Sequence, residues 1–141
     1  MTNPVSIACI AYENGLIFVA HRQSGGDMGG RWEFPGGKVE CGETDEQTVV
    51  REMTEEFGVT VDVGELIAES EFTHNGKKCL LHAYRIIMPH NGLTVPFKLT
   101  EHTGYEWVEP ERIAALNFVD SDLRLYPQVL EYIASIKSGA K

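Results

Sequence analysis

No stretch of this chain stays apolar for the roughly 18 residues that a bilayer-spanning helix requires. Positive charge is also scarce: 12 Lys and Arg face 21 Asp and Glu, a net charge of −9. A surface of that sign argues against a nucleic-acid polymer as partner, because it adds repulsion where a phosphate backbone needs neutralising. A small phosphorylated molecule is compatible with it once a divalent cation bridges the repulsion. Cysteine is sparse and odd in number, and Cys9, Cys41 and Cys79 lie far apart with no CxxC pair. That leaves no full disulfide framework and no zinc-site spacing, so a reducing cytoplasm is the expected setting. The first residues carry no basic segment ahead of their apolar alternation, which reads as a strand and not as a signal peptide.

What is present is ordinary for one globular domain. The 141 residues are 43% hydrophobic and 23% charged, enough to bury a core, and a single domain is expected over 1–141. Val5 to Tyr12 alternates as a strand, Asn14-Gly15 is a hairpin turn, and Leu16 to Arg22 is the return strand. A glycine-dense loop over 23–30 leads to the short extended segment Arg31-Trp32-Glu33-Phe34 and a Pro35-Gly36 turn. Strands over 65–72 and 79–88 flank a second hairpin turn at Asn75-Gly76. A short strand begins at Tyr105, a short helix at Pro110, and an amphipathic helix closes the chain with Leu130, Ile133 and Ile136 at helical spacing. Hairpins interleaved with helices predict an α/β architecture, a mixed sheet with helices on both faces.

The segment from Gly36 to Val59 concentrates seven acidic side chains against two basic ones. Its middle predicts a helix from Thr44 to Phe57. Thr44 suits the N-cap with Gln47 completing a capping box, Asp45 and Glu46 suit the dipole, and Gly58 suits a left-handed C-cap. Val50, Met53 and Phe57 form the expected buried face. Glu52, Glu55 and Glu56, at i, i+3 and i+4, then project together from another side. Close carboxylates repel, and a solvated face would intersperse lysines, whereas here only Arg51 is near. A hard divalent cation with oxygen ligands, Mg²⁺ or Mn²⁺, relieves that repulsion, so the cluster reads as half of a metal site.

The spacing resembles a known pattern. Gly37, five residues, Glu43, seven residues, and then Arg51-Glu52-Met53-Thr54-Glu55-Glu56-Phe57-Gly58-Val59 is similar at every constrained position to the Nudix box, here 37–59. The resemblance to the Nudix hydrolases, and to their MutT-like branch around "RWEFPGGKVECGET", covers nearly the whole chain. It implies an α/β/α sandwich and metal-dependent cleavage of a nucleoside diphosphate linked to another group. Carried over by position, it makes Glu52, Glu55 and Glu56 metal ligands with the backbone carbonyl at Gly36 or Gly37. Arg51 becomes the residue that orients the glutamates, and Glu43 a brace of the loop–helix junction. Glu55 or Glu56 could act as general base, and Glu101, in the loop before the Glu106-Trp107 strand, could bind the metal or assist the water. The local alternatives are helix stabilisation for Glu43 and Arg51 and an exposed loop acid for Glu101.

For the MutT-like branch the resemblance further implies that Arg22 and Lys38 contact phosphates and that Phe34 and Phe72 pack on the base. It places Asp122 on the position that hydrogen-bonds the base. The competing readings are a strand-end surface charge for Arg22, core packing for the phenylalanines and a helix cap for Asp122. An ionised Asp only accepts, favouring an edge such as cytosine's amino group, whereas a protonated Asp can also read a guanine edge. The expected activity is hydrolysis of an oxidised, modified or CTP-like nucleoside triphosphate to monophosphate and pyrophosphate, by a cytoplasmic monomer or homodimer. Asp27, in the glycine loop, departs from what a phosphate-contacting loop would favour. Hydrolysis of ADP-ribose or dinucleotide polyphosphates, and a catalytically silent nucleotide-binding module, are the alternatives.

Overall fold

The computed structural model describes residues 3–22, 30–88 and 102–139. Strand β1 (Val5–Glu13) turns at Asn14 and Gly15, both at positive φ (54° and 81°), into β2 (Leu16–Arg22). These are the dihedrals that make Asn-Gly a tight hairpin. Two short strands follow, β3 (Trp32–Glu33) and β4 (Gly36–Lys38), then helix α1 (Asp45–Phe57). A long antiparallel pair, β5 (Asp62–His74) and β6 (Lys77–Ile87), turns at Asn75-Gly76. Strand β7 (His102–Val108), a 3₁₀ turn (Pro110–Ala115), the short α2 (Asp120–Leu123) and α3 (Tyr126–Gly139) complete the described fold.

The sheet is mixed, in the order β3-β2-β1-β6-β5, with β4 added beside β1 and β7 beside β2. β1 and β6 run parallel over seven residue pairs, Val5 with Leu80 through Ala11 with Ile86. Along its other edge β1 pairs with β2 only at Tyr12 and Glu13, while its first half pairs with β4 at Ser6, Ile7 and Ala8. The two strands therefore splay apart below the hairpin. The strand that fills this opening leads directly into α1.

The alternation of β1 sorts the core into two layers. Ile7, Cys9 and Ala11 face α1 with Phe18, Val49, Met53, Phe57 and Ile86. Ala8, Ile10 and Tyr12 face the other side with Val19, Phe34, Phe118, Leu125, Val129 and Ile133. Helices cover both faces, as the hairpin-and-helix pattern predicts, and the sandwich is α/β/α.

The α1 boundaries follow from their chemistry. Thr44 Oγ1 accepts from the Gln47 amide at 3.1 Å, and Gln47 Oε1 accepts from the Thr44 amide at 2.9 Å. At the far end Gly58 takes the left-handed conformation (φ 71°) and donates to the Met53 and Thr54 carbonyls. The buried face differs from the expected one by one position, since Val49 and not Val50 lies in the core with Met53 and Phe57. Val49, Met53 and Phe57 repeat at i, i+4 and i+8, so the buried stripe centres on Met53, and Phe57, common to both faces, packs edge-to-face on Phe18 of β2 at 5.3 Å. Glu56 falls on the same stripe. The three glutamates therefore do not share one exposed side: Glu55 is 61% exposed and Glu52 13% at the side chain, while Glu56 is buried at 4%.

Two further expectations shift. In α3 the buried positions are Val129 and Ile133, with Leu130 only half-buried. Asp122 is not a helix cap: α2 begins after Val119, with no side-chain cap, and Asp122 lies within it.

Candidate active site

The junction of β4 and α1 is built around Arg51. Its Nε donates to Glu43 Oε2 at 2.6 Å and its Nη2 to Glu43 Oε1 at 3.0 Å. Nη2 also reaches the Lys38 carbonyl at 3.0 Å, while Nη1 donates to Glu52 at 3.0 Å and to Glu55 at 3.3 Å. Five hydrogen bonds thus tie the loop, the helix start and two of its three clustered carboxylates to one planar cation. Glu43 completes the brace by accepting from the Glu40 amide (3.0 Å) and from the buried Thr48 hydroxyl (2.8 Å). The Arg51 hydrogen bond, with those two helping, holds the Glu43 carboxyl down to about 2. In turn Glu43 raises the proton affinity of the Arg51 guanidinium. Arg51 and Glu43 are thus ion-paired across the loop–helix junction, with Glu52 and Glu55 bonded to the same guanidinium.

Two glycines let the strand pass this close. A Cβ on Gly36 (φ 155°) would fall 1.8 Å from the Ile7 carbonyl oxygen, so no other residue fits against β1 there. A Cβ on Gly37 would fall 2.3 Å from Glu52 Oε2, which means the Glu52 carboxylate occupies the space over the Gly37 backbone. Glu52 and Glu56 also act together beneath the site, where both raise the Cys9 thiol above its ordinary range after burial has done most of it.

A cavity of about 870 Å³ opens above this junction. Its acidic end is formed by Gly36, Gly37, Lys38, Glu52 and Glu56. Its other end is formed by Phe34, Phe72 and Leu81, with Arg22, Glu33 and Asp122. The size and the mix of apolar walls with a few polar groups suit a nucleotide-sized molecule. Asp122, 7% exposed, accepts from the Phe34 amide through Oδ2 at 2.9 Å. Burial first, and then the neighbouring Glu33 carboxylate, push its carboxyl up to about 8. Arg22 faces the same space and donates to both Glu33 oxygens, at 3.1 and 3.2 Å.

The structure therefore brings Arg22, Phe34, Lys38, Phe72 and Asp122 to one cavity with Gly37, Glu52 and Glu56. Glu55 is not among the residues that line that cavity; it is exposed and bonded to Arg51. Glu101 and Asp27 lie outside the described residues. Glu106 is exposed on β7. Sequence reading missed Glu33. An acid between Trp32 and Phe34 in an otherwise apolar strand was the available signal, but its partners come from β2 and α2 and cannot be read from local spacing.

As placed, no three Asp, Glu, His or Cys side chains among the described residues converge closely enough to hold an ion. The donor chemistry nevertheless fits one. A carboxylate packed over the Gly37 backbone, a second, buried carboxylate one helical turn on and an exposed third are hard oxygen donors of the kind Mg²⁺ or Mn²⁺ takes.

A mixed sandwich that braces an acidic helix against a glycine-rich strand at the mouth of a nucleotide-sized cavity is the frame of a metal-assisted hydrolase. A family model described as the NUDIX domain matches residues 2–129, and the chain belongs to the Nudix family of hydrolases. It is 34% identical over 119 residues to the CTP pyrophosphohydrolase of Escherichia coli strain K12, covering 84% of this chain and 85% of that protein. It is 32% identical over 126 residues to an 8-oxo-dGTP diphosphatase of Haemophilus influenzae, covering 89% and 90%. Among solved structures, the solution structure of the E. coli ORF135 protein superposes with a TM-score of 0.81 at 31% identity, covering 96% and 94% of the two chains. Members of the family use a divalent metal. No described helix is long and apolar enough to cross a membrane.

Proposed function

We propose that this chain hydrolyses a nucleoside triphosphate carrying an oxidised or otherwise modified base, or cytosine, to the monophosphate and pyrophosphate. The observation that carries this reading is the single cavity joining the Glu52 and Glu56 carboxylates to an apolar end that holds Asp122. Phosphate chemistry and base selection then share one molecule. The names of the two relatives, a CTP pyrophosphohydrolase and an 8-oxo-dGTP diphosphatase, support both the reaction and the width of the base choice.

In this reading Glu52, Glu55 and Glu56, with the Gly37 carbonyl and Glu101, would hold Mg²⁺ or Mn²⁺. Such an ion, when bound, neutralises phosphate oxygens and acidifies water. The chain's own residues do the rest. Arg51 keeps Glu52 and Glu55 aimed while Glu43 holds Arg51 in place. Lys38 at the acidic end, with Arg22 acting from across the cavity, draws in the phosphate oxygens, which offsets the repulsion from a strongly acidic protein. Glu55, the carboxylate most open to solvent, takes the proton of the attacking water. The water oxygen bonds to phosphorus and the α–β anhydride bond breaks, so pyrophosphate leaves. Phe34 and Phe72 exclude water from the base, and Asp122 reads its edge.

A product-resolved assay tests this, with 8-oxo-dGTP, dGTP, CTP, 5-methyl-dCTP, ADP-ribose and diadenosine tetraphosphate, each with Mg²⁺ or Mn²⁺. Release of monophosphate and pyrophosphate from one of the modified triphosphates or from CTP is expected. Turnover confined to ADP-ribose or the dinucleotide would keep the metal chemistry and refute the base assignments. Nucleotide binding without any turnover would mark a silent module.

A further inference from the structure

The base end of the cavity carries an acidic pair that the proposed reaction does not use. Glu33 on β3 has a side chain only 14% exposed and clamps Arg22 of β2 with both oxygens. The next residue, Phe34, gives its amide to Asp122, so Glu33 and Asp122 are brought to the same wall from chain positions 89 residues apart. Two carboxylates facing one low-dielectric space do not both ionise readily. Arg22 bonds to Glu33, whereas Asp122 accepts from the Phe34 amide, so the two carboxylates stand in unlike surroundings.

We propose that Glu33 is a positioning residue for base selection: clamped by Arg22, it keeps Asp122 in its hydrogen-bond-donating form. This rests on Asp122 being the base reader of the preceding section. Oδ2 of Asp122 is engaged by the Phe34 amide as an acceptor, so the hydroxyl is on Oδ1. The cavity then presents an O–H donor, which selects a base edge with an acceptor, a carbonyl oxygen or a bare ring nitrogen. An ionised Asp122 would reverse that preference toward exocyclic amino groups. The elevation of the Asp122 carboxyl to about 8 agrees with this arrangement, with burial its larger cause and Glu33 its second. Arg22 acts in the opposite direction.

Other titratable groups surround the pair. Cys9 lies beneath on β1 and feels the Asp122 charge. Glu52 and Glu56 project from α1 at the far end, and His74 and Lys77 rim the cavity from the β5–β6 hairpin. Among the charges acting on Asp122, only Glu33 and Arg22 stand out, so their substitutions should move Asp122 in opposite directions.

The test is a ¹³C NMR titration of the Asp122 carboxyl in the nucleotide-free full chain, assigned with Asp122→Asn. Glu33→Gln is expected to lower its midpoint by about one pH unit or more, and Arg22→Gln to raise it. Should Glu33→Gln fold poorly, Glu33→Asp, which keeps the charge, should leave the midpoint near the wild-type value. A midpoint unmoved in Glu33→Gln overturns the proposal. The same variants are then followed by KM against pH for the best substrate of the panel. KM should rise as pH passes the Asp122 midpoint, earlier in Glu33→Gln than in wild type, with kcat changing less. If the NMR midpoint moves and no KM follows it, Asp122 is not the base reader, and that failure belongs to the proposed function and removes the selective role of Glu33.

Discussion

Replacing Arg51 with Met keeps most of the side-chain volume and removes the cation on which the β4–α1 junction is built. Five hydrogen bonds are lost, two of them to Glu43 at 2.6 and 3.0 Å and one to Glu52 at 3.0 Å. The Glu55 bond contributes little, because that carboxylate is 61% exposed. Glu43 and Glu52 are different, at 18% and 13% exposure beside an Arg51 at 21%. For Glu52, losing a charged hydrogen bond costs about 1.5–3 kcal/mol when fully desolvated, and solvent access brings that to about 1 kcal/mol here. For a chain of this size the melting temperature should fall by roughly 4 °C from that bond alone, and further through Glu43. The loss should also depend on pH in a defined sense. Glu43 is held near 2 in the folded protein against an ordinary value of 4.5, so its contribution is present above about 4.5 and fades as pH falls toward 2. Calorimetric melts of both proteins between pH 7 and pH 3 should therefore converge on acidification. A melting temperature unchanged at pH 7, or a difference that does not shrink by pH 3, would refute the account of Arg51 as the charge that holds the junction together.

Three other outcomes are expected. Gly37→Ala places a methyl 2.3 Å from a Glu52 oxygen, the far end of a flexible side chain; turnover should drop at least about tenfold while stability falls by no more than about 1 kcal/mol. Steady-state kinetics and a thermal melt check both halves. Glu56→Gln removes a buried charge from the acidic cluster, so the metal-free protein should melt at or above the wild-type temperature, while the stabilisation by Mg²⁺ and the activity both collapse. Melts with and without the ion decide it. Asp122→Asn mimics the protonated carboxyl. Because Asp122 binds its proton more tightly folded than unfolded, the wild type loses stability as pH rises from about 4 to about 8, and the variant does not. The gap should open in favour of Asn with pH, reach a few kcal/mol and level off above 8; denaturant titrations that show a constant gap would contradict the burial of that carboxyl.

The elements that sequence reading recovered are those specified by neighbours in the chain. Thr44, Gln47 and Gly58 define α1 because caps are local hydrogen bonds, and Asn14-Gly15 and Asn75-Gly76 define hairpins because positive φ is a local property. The Nudix spacing is local too, and it carried the junction chemistry with it. What it did not carry was the rotation of α1 about its axis. Val49 and not Val50 entered the core, and Glu56 went inward while Glu55 stayed out, because the stripe that meets the sheet centres on Met53 and is set by strand residues such as Phe18, about 40 residues away. Helical periodicity fixes which residues share a face but not which of two adjacent faces meets the sheet.

The same distinction separates the reaction from its substrate. Every group that braces the acidic end lies within Lys38 to Glu55, a continuous segment whose order sets its geometry. The base end is assembled from β2, β3, β5, β6 and α2, and its main contacts are Arg22 with Glu33 and Phe34 with Asp122. Asp122 read alone leaves two readings open, an acceptor for an amino group or, protonated, a donor that can read a guanine edge. Under the inference above, its place against Phe34 and Glu33 selects the donor. The charge state of one carboxyl then decides between the two readings, and three separate chain segments set that charge state. Base selectivity in this fold can therefore change through Glu33 or Arg22 while the box residues and Asp122 itself stay as they are.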